Sequence, residues 1–301
     1  MATISLRPER ASELVKRYIA AKIPVLLTGA PGVGKSSIVE QAAAASGFDV
    51  ILSHPVVADP TDAKGLPWPG KDGTEATFLP FGDLAQAIKA SRPTVWFLDD
   101  LGQASPAVQA SFMQLLLARR VNGHVLPDCV TFVAATNRRT DRAGVSGILT
   151  PVLSRFGAVV GVEVAVDDWC RWAFGAGVPP ELISFMRFRP KLLHDMGDGK
   201  KANDMENFPC PRTWEYAGKA INMALPDDLE FTALAGAVGG RVGTSVATHR
   251  RRDSPFGLGL KGFPFDFHGQ ALLVSRETTA PGGTGPVWSN RAYPQWKASG
   301  G

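Results

Sequence analysis

A glycine-rich stretch holds the residues of this 301-residue chain whose types and spacing most clearly suggest chemistry. The pattern G-x-x-x-x-G-K-[ST] is met by Gly29, Ala30, Pro31, Gly32, Val33, Gly34, Lys35 and Ser36, with Ser37 next. Glycines let the backbone fold into a nest of N–H groups that bind phosphate oxygens. The lysine would contact the β- and γ-phosphates, and Ser36 would bind Mg²⁺. The stretch therefore predicts nucleotide binding.

The surroundings of this stretch decide between a phosphate loop and a glycine-rich turn that binds nothing. An apolar run at residues 23–27 precedes it, and SSIVEQAAAAS follows it with the composition of a helix. A strand, a loop and a helix in this order place the positive end of the helix dipole at the phosphates. The context favours the phosphate loop.

Carboxylate and amide side chains follow two further apolar runs. The run at 94–98 ends in Asp99 and Asp100, and the run at 130–135 leads to Asn137. Continuous apolar runs are typical of buried parallel strands, and ligands bind at the carboxyl ends of such strands. We expect Asp99 to bind Mg²⁺, Asp100 to orient the attacking water, and Asn137 to contact the γ-phosphate or that water. The alternative is that Asp100 and Asn137 are ordinary turn residues.

Strands that alternate with helices predict a parallel sheet as the support for these residues. The strands are predicted near residues 25–27, 50–52, 95–98, 131–134 and 158–162, with helices over 6–21 and 106–119 among those between them. Four helical stretches follow between about 165 and 240. The predicted organisation is an α/β nucleotide-binding domain at 1–164, a helical lid at 165–240, and a tail at 241–301.

Composition narrows the classes of protein to consider. The apolar fraction of 45% suffices for a buried core, and a net charge of +4 is too small to argue for nucleic acid. The three cysteines are far apart, which fits a reducing compartment. No apolar run reaches the roughly 18 residues of a membrane span, and the N-terminus does not read as a signal peptide. We expect a cytoplasmic location.

The order of these motifs resembles the AAA+ ATPases, with Lys35 and Ser36 in Walker A, Asp99 and Asp100 in Walker B, and Asn137 at sensor 1. Arg155 in TPVLSRF resembles the arginine finger, and Arg212 in CPRTWEYAGKAI resembles the sensor-2 arginine. Two further segments, DPTDAKGLPWPG with ATFLPFGDL and RRVNGHVLPDCVTFVAATN, resemble the two hairpins of the MoxR-like subgroup.

The resemblance covers roughly residues 1–240 and implies a P-loop AAA+ core, a parallel sheet sandwiched by helices, followed by a small all-helical lid. It implies that the protein hydrolyses ATP with Mg²⁺ and that identical subunits assemble into a ring, which is a hexamer in this family. Arg155 would complete the site of the neighbouring subunit, and Arg212 would sense the γ-phosphate. It also implies a chaperone role on client proteins, with a von Willebrand factor A domain protein as partner.

Departures from the family pattern leave alternatives open. Asp100 stands where the family usually has glutamate, so a nucleotide-binding scaffold with weak hydrolysis is one alternative. A nucleic-acid motor is another alternative. The insert at residues 59–84 argues against it, because its five acidic residues outnumber its two lysines and would repel nucleic-acid phosphates. After about Gly239 the sequence shows no helical or strand periodicity. A disordered tail, a tail that packs on a partner and a shifted reading frame all agree with this lack of pattern. Three arginines after sensor 1 fit either phosphate contact or ion pairing: Arg138, Arg139 and Arg142.

Overall fold

Six parallel strands form the central sheet of the computed structural model, which describes residues 4–70, 72–138, 147–196 and 206–253. The strands are β1 (Ser5–Leu6), β2 (Val25–Thr28), β3 (Asp49–Ser53), β6 (Thr94–Leu98), β9 (Val130–Thr136) and β10 (Ala158–Val162). Their order in the sheet is β1-β10-β2-β9-β6-β3. Every residue of β6 and β9 is buried, as the continuous apolar runs predict.

The three central strands bring the predicted site residues to one edge of the sheet. β9 pairs with β2 on one side and with β6 on the other. Thr28 lies opposite Thr136, and Leu98 lies opposite Ala134. Because the strands are parallel, the loops that follow all three leave the sheet at its carboxyl edge.

Helices cover both faces of the sheet. They are α1 (Pro8–Ala20), α2 (Lys35–Ala45), α3 (Pro60–Lys64), α4 (Gly82–Ile88), α5 (Pro106–Ser111), α6 (Met113–Ala118) and α7 (Thr150–Leu153). Strand residues alternate between two apolar clusters, one with α1 and α2 and the other with α4, α5 and α6. In the second cluster Trp96 stacks on Phe132, with ring centroids 5.4 Å apart. The expected α/β sandwich is confirmed.

Two local predictions about this domain are wrong in detail. The helix predicted over 106–119 is two helices, broken at Phe112, whose N–H bonds to Gln109 O at 3.3 Å. Ser111 Oγ donates to Val108 O at 2.6 Å and so occupies the carbonyl that an α-helical Phe112 N–H would use. The first predicted helix begins at Pro8, because the residue before a proline is held extended and β1 ends there.

Two antiparallel hairpins lie side by side, one in the insert and one before β9. The first pairs β4 (Leu66–Pro69) with β5 (Ala76–Leu79), and the second pairs β7 (Arg120–Val121) with β8 (His124–Val125). His124 Nε2 lies 2.7 Å from Phe78 O, and Asn122 Nδ2 donates to Lys64 O at 2.9 Å. Both hairpins occur where the sequence resemblance predicts them.

In the described part of the chain after the sheet there are five α-helices: α8 (Val166–Gly175), α9 (Pro180–Phe188), α10 (Pro211–Asn222), α11 (Asp227–Val238) and α12 (Gly240–Asp253). They share an apolar cluster that includes Leu182, Trp214 and Val246. Val246 lies on α12, in a segment predicted to lack any periodic pattern. That prediction is wrong for residues 240–253, where one buried face packs on α11 and α9 although the sequence around it is polar. No described helix is long and apolar enough to cross a membrane.

The start of α1 is capped by a side chain from the lid. Arg7 at the N-cap makes no capping hydrogen bond, and instead the N–H of Glu9 donates to Asp168 Oδ2 at 3.0 Å. The Asp168 side chain is 5% exposed and lies 3.8 Å from Arg7 and 4.0 Å from Arg171. One buried carboxylate therefore ties α8 to α1.

Replacing Asp168 by alanine should lower the free energy of unfolding by about 1–3 kcal/mol, because it removes a cap and leaves the Glu9 N–H without its acceptor. Urea denaturation followed by circular dichroism measures this change. Asp167→Ala is the control, since Asp167 lies in the same helical turn but is exposed. Equal losses in the two variants would contradict the capping role.

Candidate nucleotide-binding site

The glycine-rich loop connects β2 to α2 in a conformation that only glycine adopts easily. Gly32 has φ +74° and Gly34 has φ +94°, both in the left-handed region. Gly34 is the N-cap of α2 and has no side chain, so no residue of its own caps the first-turn N–H groups. Such a helix start is an anion-binding site.

Lys35 extends into the loop and is 7% exposed. Its Nζ donates to Gly29 O at 2.9 Å, to Ala30 O at 3.0 Å and to Asn137 Oδ1 at 2.7 Å. These hydrogen bonds hold the ammonium group at the phosphate loop, where it could contact the phosphates of a nucleotide.

Ser36 and Asp99 bring a hydroxyl and a carboxylate together. Ser36 Oγ donates to Asp99 Oδ2 at 2.6 Å, and the N–H of Asp100 donates to Asp99 Oδ1 at 3.1 Å. Oxygen ligands of this kind suit Mg²⁺, which usually keeps several waters and binds few protein groups. The described residues contain no group of three or more His, Cys, Asp and Glu that could hold a metal. Ser36 and Asp99 could hold Mg²⁺ together with water and phosphate oxygens.

Asn137 bridges Lys35 and Asp100. Its Oδ1 accepts from Lys35, and its Nδ2 donates to Asp100 Oδ1 at 3.3 Å. Asp100 is in the left-handed region, with φ 57°, which turns the chain sharply after β6. The pKa of Asp100 is raised above its ordinary value, mainly by burial and also by the negative charge of Asp99. The positive charges of Lys35, His54 and Arg212 oppose this rise.

His54 is a nearby residue that sequence analysis missed. It directly follows β3, and the N–H of Asp99 donates to Ser53 O at 2.9 Å across the β3–β6 pair. His54 therefore stands beside the two acids at the carboxyl edge of the sheet. The sequence does place His54 directly after a predicted strand. It does not show that this strand pairs with the strand that carries Asp99 and Asp100.

Arg212 reaches the site from the lid. It lies in the first turn of α10 and lines a cavity of about 80 Å³ together with the phosphate loop, Asp99, Asp100 and Asn137. A larger cleft, of about 1460 Å³, is lined by the loop and by residues of α1, α2, α8 and α10. The two spaces together have room for a phosphate chain and a nucleoside.

Arg155 is the one predicted site residue that the structure does not bring to the others. Its Nε donates to Met113 O at 3.2 Å, and its Nη1 contacts Pro151 O and Ser154 Oγ. The next residue, Phe156, is buried in the sheet cluster and anchors the segment. Arg155 itself is half-buried, and its described hydrogen bonds go to these three oxygens.

Aromatic and basic residues near the site also have defined places. Trp169 is 6% exposed in the lid core and packs on Trp172, with ring centroids 6.3 Å apart. Arg138 donates to Val162 O at 3.4 Å. Arg139 and Arg142 lie outside the described residues.

Comparison with known families agrees with this geometry. Residues 24–156 match the model of the AAA domain (dynein-related subfamily), from β2 to the end of the Arg155 segment. The protein has the AAA+ P-loop fold. AAA domains belong to a family of nucleotide-hydrolysing ATPases, and the match covers the phosphate loop, both acids, Asn137 and Arg155 but not the lid.

Solved structures with some similarity to this chain include RuvB and NtrX. RuvB from Thermotoga maritima, a Holliday junction branch migration motor, is 15% identical over 80% of this chain and 67% of its own, with a TM-score of 0.41. NtrX from Brucella abortus in complex with ADP is 13% identical over 83% and 68%, with a TM-score of 0.39. Similarities this low carry no argument about function.

Proposed function

We propose that the protein binds ATP with Mg²⁺ and hydrolyses its terminal phosphoanhydride bond. The observation that supports this most directly is the continuous contact from Lys35 through Asn137 to Asp100, set beside the Ser36–Asp99 pair. Phosphoryl transfer depends on positioning and charge neutralisation, and these five side chains supply both.

Each residue has a defined task in this proposal. Lys35 and the loop N–H groups hold the β- and γ-phosphates. Ser36 and Asp99 hold Mg²⁺, which supplies positive charge to the phosphate oxygens. Asp100 accepts a hydrogen bond from the water that attacks the γ-phosphorus, and Asn137 fixes the carboxylate of Asp100. Arg212, on the lid, neutralises the charge that develops on the γ-phosphate.

A ring of identical subunits fits the position of Arg155. An arginine that completes a neighbour's site requires a head-to-tail interface, and such an interface forms a ring when the rotation between subunits closes. We propose a hexamer, as the sequence resemblance implies. On the same basis the ring remodels or activates client proteins, in the manner of MoxR-like chaperones and with a von Willebrand factor A domain partner.

A scaffold that binds ATP but hydrolyses it weakly is the second candidate. Asp100 is one methylene shorter than glutamate, and its carboxylate already accepts a hydrogen bond from Asn137 at 3.3 Å. A steady-state ATPase assay separates the two. Rapid turnover that depends on Asp100 supports hydrolysis as the function.

The Asp100→Asn variant should bind ATP as the native protein does and lose about 100-fold or more of its hydrolysis rate, because the amide cannot accept a proton from the water. Single-turnover release of phosphate measures the rate, and a fluorescent ATP analogue measures binding. Asp128→Asn is the control, since Asp128 is exposed on the loop before β9. Hydrolysis by Asp100→Asn at the native rate would mean that another group orients the water.

A further inference from the structure

Two residues from the lid side of the chain, His194 and Cys210, lie against the Pro31–Gly32 peptide of the phosphate loop. His194 Nε2 lies 3.1 Å from the carbonyl oxygen of Pro31. A Cβ built on the next residue, Gly32, would lie 2.4 Å from Cys210 Sγ, so the sulfur occupies the space in front of that glycine. The motifs identified in the sequence give no role to His194 or to Cys210.

The hydrogen bond from His194 fixes the orientation of the Pro31–Gly32 peptide. A carbonyl oxygen only accepts, so His194 Nε2 must carry the proton. In a trans peptide the C=O and the N–H point in opposite directions. With Pro31 O held towards His194, the Gly32 N–H is directed to the other side, where the loop N–H groups form the phosphate nest. The contact therefore favours the binding orientation of this N–H.

Cys210 opposes the alternative orientation of the same peptide. Gly32 is in the left-handed region, at φ +74°, and a glycine can rotate to many other conformations. The Cys210 side chain is 3% exposed and limits that rotation by filling the adjacent space. Its backbone is fixed in turn, because Cys210 N donates to Thr213 Oγ1 at 2.8 Å.

The segment that carries His194 is itself anchored. The His194 ring packs edge-on against Phe208, with ring centroids 6.1 Å apart. The N–H of Asp195 donates to Pro209 O at 2.9 Å, which ties this segment to the residues just before α10. The imidazole is thus held at the loop by contacts within the lid side of the chain, including the segment that leads into Cys210 and Arg212.

We propose that His194 is a positioning residue for phosphate binding, which with Cys210 holds the Pro31–Gly32 peptide ready to donate to the β-phosphate region of the nucleotide. This inference rests on the proposed nucleotide-binding function and extends it. It means that the lid contributes to phosphate affinity through the loop backbone, independently of the direct charge of Arg212.

The test compares His194→Ala with His194→Gln by calorimetric titration with ADP and with tripolyphosphate, which has no base or ribose. Losing one pre-organising hydrogen bond should weaken both ligands about fivefold to tenfold in His194→Ala. Glutamine keeps a side-chain N–H donor, so His194→Gln should stay within about twofold of the native protein. His124→Ala is the matched control, because His124 also contacts a backbone carbonyl but lies on a hairpin.

The outcomes separate this inference from the function on which it rests. If the native protein binds neither ADP nor tripolyphosphate, the proposed function itself fails. If the native protein binds both and His194→Ala binds them equally well, only the role of His194 is overturned. If His194→Gln is as weak as His194→Ala while melting temperatures are unchanged, ring packing rather than the hydrogen bond is responsible, and the inference is also overturned.

Discussion

Replacing Lys35 by alanine is expected to weaken ATP binding by about 100-fold or more. The ammonium is almost fully buried, and hydrogen bonds of 2.7–3.0 Å to Gly29 O, Ala30 O and Asn137 Oδ1 hold it at the loop that would bind the phosphates. Removing a buried partner of a charged hydrogen-bonded group costs about 2–5 kcal/mol, which corresponds to this loss of affinity. Titration with a fluorescent ATP analogue measures it.

A matched control for this substitution is Lys89→Ala. Lys89 is an exposed lysine at the end of α4, so its loss removes the same charge from the protein without changing the loop. The control should bind ATP as the native protein does. If Lys35→Ala also kept native affinity while its melting temperature was unchanged, the assignment of the loop as a phosphate cradle would be wrong.

Much of the site could be predicted because its residues follow strands. A continuous apolar run predicts a buried parallel strand, and the polar residues just after such a strand must lie at the carboxyl edge of the sheet. Asp99, Asp100 and Asn137 could therefore be placed at this edge from the sequence alone. The structure then shows that Asn137 contacts both Lys35 and Asp100, which spacing alone does not reveal.

Other features were not predictable because they depend on which elements become neighbours. The strand order puts β9 between β2 and β6, and no local pattern encodes that order. For the same reason His54 could not be linked to Asp99, nor His194 to Pro31. Helix α12 was missed because its apolar face is narrow, and its burial comes from α9 and α11 rather than from its own sequence.

Replacing Arg155 by alanine is expected to leave ATP binding intact and to lower the hydrolysis rate about 10³- to 10⁵-fold, the range for an arginine that acts on a neighbour's γ-phosphate. The cradle of the same subunit should be unaffected, because the hydrogen bonds described for Arg155 go to Met113 O, Pro151 O and Ser154 Oγ. Arg92→Ala is the control, since Arg92 is exposed and pairs only with Asp49 in the described contacts. It should hydrolyse ATP normally.

Mixing two inactive variants tests whether the site is shared between subunits. Arg155→Ala has an intact cradle but no finger, and Lys35→Ala has a finger but no cradle. In a mixed ring, an interface that joins the cradle of the first to the finger of the second is complete, so activity should reappear and peak near equal proportions. If Arg155 instead has only a structural role within its own subunit, each variant fails independently. ATPase activity that stays at background across all mixing ratios would rule out the shared site.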